Sequence, residues 1–427
     1  MAAEFDVVVV GAGLSGCAAA YSLAKDGVSV LLVERGKPPG SKNVSGGVMY
    51  CHALNRLIPE FWREAPVERF VRRHVVSLLS AGSATSISFD DNQFTNPPYN
   101  SCTVLISQFC EWFAAKVEKA GGIVASGVCA EDLVWEGDKV AGISTGGEEI
   151  RSNMVIAADG VNSHLAEIAN LRRKISPRSV ALGIKSVVGL PKEVINERFN
   201  LRSEEGVAYT FIGCTRGMQG GGFLYTNRES LSIGVVVGVD SLVKTDAKSP
   251  ELLNDLIDHP AVRGLLEKST PLEYSAQLIP EGGIRTKPQL YRNGLLVVGD
   301  AAGFTQNNGF LLRGMDFAVA SGATAAEVAK KAKKRGDYST SALSEYEGLL
   351  QKTFVLRDLQ TYRNAPSFLA NPRLYSVYPD LACNVMERMF KVDGGPRQNL
   401  FGTARNQLKG KVSVMRLIED ILGARSL

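Results

Sequence analysis

Four apolar residues in a row, Val7 to Val10, stand between a polar leader and a glycine in "FDVVVVGAGLSGCAAAYSLAKDG". An unbroken β-branched run is the pattern of a strand buried on both faces, as in a parallel sheet. The stretch predicts a strand over Asp6–Val10, a Gly-rich turn, and a helix from about Ser15 to Lys25 that stops at Asp26-Gly27. "VSVLLVERG" repeats the strand pattern and ends at Glu34. Strand, helix and strand joined by short loops make a βαβ unit. Further on, "QFCEWFAAKVEKAGG" (108–122) sets Phe109, Trp112, Phe113 and Val117 on one helical face, and "IVASG" follows as a strand. "AEDLVWEGDKVAGISTGGEEIRSNMVIAADG" reads as two or three short strands closing on Met154–Ala158.

From 175 to 290 the character changes. "VALGIKSVVGL", "VAYTFIG", "GGFLYTN" and "SLSIGVVVGV" are strand-like, and one helix, "SPELLNDLIDH", is predicted to be capped by Ser249 with Pro250 at its first position. "GLLVVGD" then returns to the first sheet, a helix follows over about Arg313–Arg335, and the remainder is mostly helical. The predicted fold class is α/β (α+β overall). A Rossmann-type domain is built from 1–174 and 291–360, a mostly antiparallel sheet is inserted at 175–290, and a helical region occupies 361–427.

Composition narrows the function classes. The chain has 427 residues, 45% apolar and 22% charged, which is ordinary for a globular protein. With 48 basic and 44 acidic residues the net charge is only +4, which gives no case for nucleic-acid binding. Seven Cys are scattered without a CxxC pair, which suits a reducing compartment and argues against a disulfide framework or a four-Cys metal or iron–sulfur site. The Phe5–Ala24 stretch lacks the basic leader of a targeting peptide, and no run of about 18 apolar residues predicts a membrane span.

Gly11, Gly13 and Gly16 form a GxGxxG turn between a strand and a helix, with Glu34 ending the next strand. In such a turn the first glycine allows the bend, the second lets backbone approach a pyrophosphate at the helix N-terminus, and the third permits close packing. Glu34 is placed to take the ribose hydroxyls of an adenosine. The fingerprint does not separate NAD from FAD. Asp159-Gly160 and Gly299-Asp300 each end a further strand, and an Asp there is either a turn former or a ligand group. Three ordered strand-end acids suit a long ligand stretched across the sheet.

GAGLSG, ERG, AADG and GDAAG occur in the order seen in FAD-dependent oxidoreductases with a glutathione-reductase-like flavin fold. "SKNVSGG", "YSAQLIPEGG" (274–283), "GDAAGF…RGMDFAVASG" and "NPRLYSVYPDL" resemble the FixC family, relatives of electron-transfer-flavoprotein:quinone oxidoreductase. The resemblance implies a non-covalent FAD. Its pyrophosphate would lie against Gly11, Gly13, Leu14, Ser15 and Gly16, with the adenosine ribose at Glu34 beside Arg35. The resemblance further implies that Ser45, Gly46 and Gly47 line the flavin near its ring, that Val128 meets the adenine through its backbone, and that Asp159 and Gly160 close over the adenosine end. Asp300, after Gly299, would bind the ribitol, and Gly314 and Met315 would offer N–H groups to the pyrimidine carbonyl. The implied partners are a two-subunit electron transfer flavoprotein, a ferredoxin-like iron–sulfur subunit and a membrane quinone. The implied location is cytoplasmic, peripheral on the inner face of the cell membrane. The single-chain quinone oxidoreductases add a cluster domain, whereas only Cys383 follows residue 214 here, so this chain is expected to carry no iron–sulfur cluster. Many relatives have an Arg near residue 106, where Ile106 and Gln108 stand.

Other features are read more plainly. The basic run 329–337 is a solvated helix end, and His52 and His74 are packing or surface residues. Phe304, Phe310, Leu311 and Leu312 either pack under the flavin or line a quinone mouth or membrane-facing surface, and packing is the expectation. Rival functions are a geranylgeranyl-reductase-like prenyl reductase, an FAD-dependent aromatic monooxygenase, and a flavin-bearing subunit that only relays electrons.

Overall fold

The structure, a computed structural model, describes residues 3–41, 46–395, 399–408 and 412–427. The chain opens with β1 (Phe5–Val10), α1 (Leu14–Lys25) and β2 (Val30–Glu34). It continues through β3 (Gly47–Tyr50), α2 (His52–Leu57), β4 (Val67–Leu79), β5 (Ala84–Asp90), β6 (Ser101–Val104) and α3 (Ile106–Lys119). Next come β7 (Ile123–Ser126), β8 (Asp132–Glu136), β9 (Lys139–Thr145), β10 (Glu148–Ala157) and α4 (His164–Ile168).

The first sheet has β17 (Leu295–Val297), β10, β1, β2 and β7 side by side and parallel, with the two-residue β16 (Tyr291–Arg292) antiparallel at its edge. Register is fixed at the centre by Val8 opposite Val155 and Leu31. Val7, Val8 and Val9 are buried completely, as strands covered on both faces must be. One face is covered by α1, on which the 21-residue α7 (Met315–Arg335) packs. These two helices approach closely because Gly322 has no side chain: a Cβ there would fall under 3.0 Å from the Ser15 carbonyl.

The second sheet takes β11 (Val180–Gly189), β12 (Glu205–Ile212), β13 (Gly220–Thr226), β14 (Ser230–Gly238) and β15 (Thr270–Pro280), in the order β15-β11-β14-β13-β12. It does not stop there. The order continues β12-β4-β6-β3, with β5 on β4, and β12 pairs with β4 in parallel. The sheet is therefore not a single insertion at 175–290. Residues 47–104 supply its other half. The cause is visible in "VERFVRRHVVSLL", whose alternate residues Val67, Arg69, Val71, Val75 and Leu79 are buried. Arg69 breaks the apolar pattern and is fully buried. Its guanidinium donates to the carbonyls of Asn227 (2.5 Å) and Glu205 (2.9 Å) and to Asn196 Oδ1 (2.8 Å), tying β4 to the turns around it.

On the outer face of this sheet Ile184, Val188, Leu231, Ile233, Val235 and Val207 form a second core with α5 (Lys192–Phe199) and α6 (Ser249–Asp258). Ser249 begins α6 with Pro250 behind it, but Lys248 is the capping position and no side chain caps the helix. The C-terminal region is helical, including α8 (Val377–Phe390) and α9 (Val414–Gly423).

Candidate functional site

The carboxyl ends of β1, β2, β10 and β17 open on one crevice, and the expected motifs sit on the turns that leave these strands. The fingerprint glycines divide by function. Gly11 has φ +105° and a Cβ on it would fall under 3.0 Å from the Ala158 carbonyl, while one on Gly16 would do the same to the Gly11 carbonyl. Both are required for packing. Gly13 is different: its backbone is extended, and nothing of the chain lies within 4 Å of where its Cβ would be. It is the N-cap of α1, supplies no side-chain cap, and is followed by a first turn without an acidic residue. The unpaired N–H groups of a 12-residue helix thus face open space, the arrangement that fits a phosphate. Leu14 and Ser15 are buried, and Ser15 packs against Gly299, where a Cβ would fall under 3.0 Å from its hydroxyl.

Glu34 is buried, its Oε2 accepting from the Ala12 N–H (2.9 Å) and its Oε1 from the Gly36 N–H (2.7 Å). It therefore pins the fingerprint turn, and each carboxylate oxygen keeps a lone pair for a further donor. Arg35 beside it is exposed. Val128 donates its N–H to the Glu34 carbonyl (3.0 Å), so its carbonyl is the backbone group left for a ligand. Asp159 spends its carboxylate locally, accepting from Ser163 Oγ (2.9 Å) and from the Leu165 N–H at the start of α4 (3.0 Å), and burial pushes its pKa up. Here the acid forms the turn, and each of its oxygens, like those of Glu34, keeps a further lone pair. Gly160, with φ +78° and nothing near its Cβ position, faces open space.

Asp300 lies on the helical turn Gly299–Ala302 after β17, entered through Gly299 at φ +60°. Burial pushes its carboxyl up to about 6, with a hydrogen bond from Thr305 acting the other way. Gly314 caps α7 without a side chain, and a Cβ on Gly47 would fall under 3.0 Å from the Met315 methyl. Gly46, at φ +78°, faces Ser232 of β14 and Lys185 of β11. These contacts bring Gly46, Gly47, Gly314 and Met315 together at the seam between the two sheets. Ser45 lies outside the described residues.

Three features escaped the sequence reading. Lys185, buried on β11, donates to the Gly46 carbonyl (2.6 Å). Asp316, 1% exposed in the first turn of α7, accepts from Arg313 (2.5 and 3.0 Å) and meets His52 Nε2 (3.1 Å), while its Oδ1 has no partner. Arg313 continues the network to Asp358 (2.8 Å). Third, the "PEGG" segment lines a narrow cleft, with room for little more than a water molecule, together with Gln219, Thr305, Asn307, Tyr362 and Leu369. Its Glu281 is raised by burial and accepts from Asn307 Nδ2 (3.0 Å). Lysine within a strand pattern carries no periodic signal, but Asp316 stood in the quoted RGMD and could have been found.

The apolar loop splits. Phe304 is fully buried, as packing requires, whereas Phe310 is 59% exposed and Leu312 is also exposed. The basic helix end is not merely solvated: Lys331 pairs with Glu345 (2.5 Å), Lys333 with Asp6 (2.5 Å) and Lys330 with Asp26. His74 is held below the usual imidazole range by burial. Among the described residues no group of three or more His, Cys, Asp or Glu could hold a metal ion, and no helix is long and apolar enough to cross a membrane.

Comparison with known proteins gives the family and the fold. Residues 6–83 match the family model described as FAD dependent oxidoreductase, and residues 365–427 match the ETF-QO/FixC family C-terminal domain. The chain is 42% identical to "Probable electron transfer flavoprotein-quinone oxidoreductase YdiS" of Escherichia coli (strain K12), over 99% of both chains. It is 41% identical to "Protein FixC" of the same strain, over 97% of each. It is 39% identical to "Protein FixC" of Bradyrhizobium diazoefficiens, over 92% of each. Among solved structures, a geranylgeranyl bacteriochlorophyll reductase-like protein from Thermoplasma acidophilum superposes with a TM-score of 0.73 at 21% identity, covering 98% of this chain and 99% of that one. The flavin-dependent brominase Bmp2 reaches 0.64 at 15% identity, covering 99% and 93%. At those identities the likeness is of fold alone.

Proposed function

This chain belongs to the ETF-QO/FixC family, and from that premise we propose that it takes electrons from a reduced electron transfer flavoprotein and passes them toward a membrane quinone through its own FAD. Bound FAD supplies the redox chemistry; the chain supplies binding, orientation and electrostatics. The observation that carries the reading is the open, uncapped N-terminus of α1 at Gly13, on the same edge of the sheet as Glu34 at the end of β2 and Asp300 after β17.

In this reading the N–H groups of Gly13, Leu14, Ser15 and Gly16 would hold the pyrophosphate, where the helix dipole favours negative charge. Glu34 and the Val128 carbonyl would meet the adenosine, with Gly11 shaping the turn and Arg35 and Gly160 flanking it. Asp159 shapes the 159–165 turn from within. Asp300 would accept from the ribitol hydroxyls, after the bend at Gly299. Ser45, Gly46 and Gly47 would line one side of the ring, and the N-terminus of α7 at Gly314 and Met315 would face its pyrimidine end. No residue is needed as a dedicated base, because electron transfer breaks no bond of the donor protein. The binding is non-covalent in this reading: hydrogen bonds from the fingerprint turn and to Glu34 and Asp300 would hold the ligand.

We further propose that a ferredoxin-like subunit carries the electrons onward and that this chain holds no iron–sulfur cluster itself. The scattered Cys support this, since a cubane needs four thiolates close together. Peripheral contact with the inner face of the cell membrane is supported by α9. Asp420 anchors that helix to Arg373 (2.6 Å) and Asn371 (2.8 Å), while Met415, Ile418, Ile421 and Leu422 face outward.

The test is steady-state reduction of a quinone analogue by the holo-chain, reduced by its flavoprotein donor, with and without the ferredoxin-like subunit, beside an iron assay. The expected result is reduction of the flavin, little turnover alone, restoration by the partner, and no iron. Full turnover without the partner would favour a second reading, direct transfer at the surface where Phe310 and Leu312 are exposed. Stoichiometric iron in the isolated chain would overturn the reading of its cysteines.

A further inference from the structure

Lys185 is the one lysine among the described residues that is buried, with 3% of its side chain exposed. Alternation along β11 turns Ile184 and Val188 to the outer core and Lys185 to the opposite face. Across the sheet it lies opposite Gly234 of β14 and Ser275 of β15. Its ammonium donates to the Gly46 carbonyl at 2.6 Å, and Nζ lies 3.7 Å from where a Gly46 Cβ would be. Gly47, the next residue, packs on Met315 at the start of α7. Lys185, Gly46, Gly47 and Met315 are thus an unbroken line from the second sheet to the helix terminus.

Holding one carbonyl does not call for a charge, since a serine or asparagine donates equally well. An ammonium taken out of water is expensive, and burial draws Lys185 down to about 7, with Glu273 on β15 opposing. Around it β14 contributes the Ser232 hydroxyl, and the 46–47 segment contributes a carbonyl. Tyr225 of β13, opposite Ser232, is pushed up by burial and stays neutral. Glu273 is therefore the charged partner that the neighbouring strands present.

We propose that Lys185 is a positioning residue for the flavin: it fixes the Gly46–Gly47 backbone beside the ring and sets there a positive charge that raises the potential of the bound cofactor. The inference rests on reading the crevice as the FAD site. A positive charge favours the more electron-rich reduced ring. The charge is present below neutral pH and fades as the lysine gives up its proton above it.

The experiment compares wild type, Lys185→Met and Lys185→Arg as FAD-loaded full chains. FAD affinity is read by fluorescence titration of the apo-chain, and midpoint potential by dye-equilibrated spectrophotometry from pH 6 to 9. At pH 6 Lys185→Met is expected to favour the oxidised form about tenfold more than wild type, ~30 mV for a two-electron couple. That offset should vanish toward pH 9. Lys185→Arg should match wild type at pH 6 and lie above it at pH 9, because its charge persists. This comparison still decides the matter if the Met variant does not fold. An offset of Lys185→Met that is equal at both pH values, or absent, overturns the proposal, as does a Lys185→Arg potential that tracks wild type to pH 9. A wild-type chain that takes up no FAD overturns the cofactor reading and this one with it, before any variant is needed.

Discussion

Gly13→Ala separates ligand binding from folding. Gly13 has φ −73° and ψ −178°, a conformation alanine adopts freely, and an added methyl meets no atom of the chain within 4 Å. The apo-chain should therefore fold as before, and the loss of a glycine's freedom in the unfolded state should stabilise it by about 0.4–1 kcal/mol. The methyl would, however, occupy the space through which a pyrophosphate reaches the first-turn N–H groups of α1. Losing one hydrogen bond to a charged group costs about 1.5–3 kcal/mol, which raises Kd for FAD by about 10- to 150-fold. Gly16→Ala is the contrast: its methyl would fall under 3.0 Å from the Gly11 carbonyl, so stability and binding should fail together. Thermal unfolding of the apo-chains by circular dichroism, beside fluorescence titration with FAD, reads both quantities. A Gly13→Ala chain that melts like wild type and binds FAD within twofold of wild type would show that the open space at Gly13 is not a phosphate cradle.

Two further outcomes follow from named groups. Burial raises the Asp300 carboxyl to about 6 in the folded apo-chain, so its contribution to stability is fully present below about pH 4 and is lost as pH rises through 6, up to ~3 kcal/mol. Asp300→Asn, neutral throughout, should gain on wild type by about that much between pH 4 and 7.5 in apo urea melts; a constant difference would refute the buried-carboxyl account. On α9, Ile418→Glu with Ile421→Glu replaces outward-facing side chains and should leave the melt unchanged. The loss of two apolar contacts with lipid, about 1.5 kcal/mol each, should weaken flotation with anionic vesicles about a hundredfold, and unchanged flotation would remove α9 from the membrane surface.

What could be read in advance follows from how locally each feature is encoded. β1, α1 and β2 are written in contiguous patterns, a β-branched run, a glycine turn and an alanine-rich helix, and the structure reproduces them nearly to the residue. The second sheet is not local. Its β4 alternates correctly but carries Arg69, Arg72, Arg73 and His74 among its apolar residues, so the run does not announce a central strand. Only β12 and the turn carbonyls that Arg69 satisfies explain the arrangement, and these lie more than 120 residues away. The cap of α6 failed on a smaller scale, because Ser249 and Pro250 are compatible with a helix start one residue earlier.

The site has the same division, and the topology accounts for it. The chain passes between the sheets four times: after β2, after β6, after β10 and after β15. Gly46, the 159–165 turn and Glu281–Gly283 lie on three of these passages, where no sheet periodicity constrains the residues and glycines and acids stand out as motifs, and Gly47 opens β3 directly after. Lys185 and Ser232 face the same seam from inside strands. There the periodic pattern is what a reader sees, and a polar residue on the inward face looks like an irregularity in it. A sequence that otherwise satisfies its own pattern breaks it where function requires. The buried ammonium at the seam is such a break: taking its charge out of water is costly, and its hydrogen-bond partner in the adjoining segment is the carbonyl of Gly46. The cost is understandable if that backbone, and the charge beside it, serve what binds in the crevice.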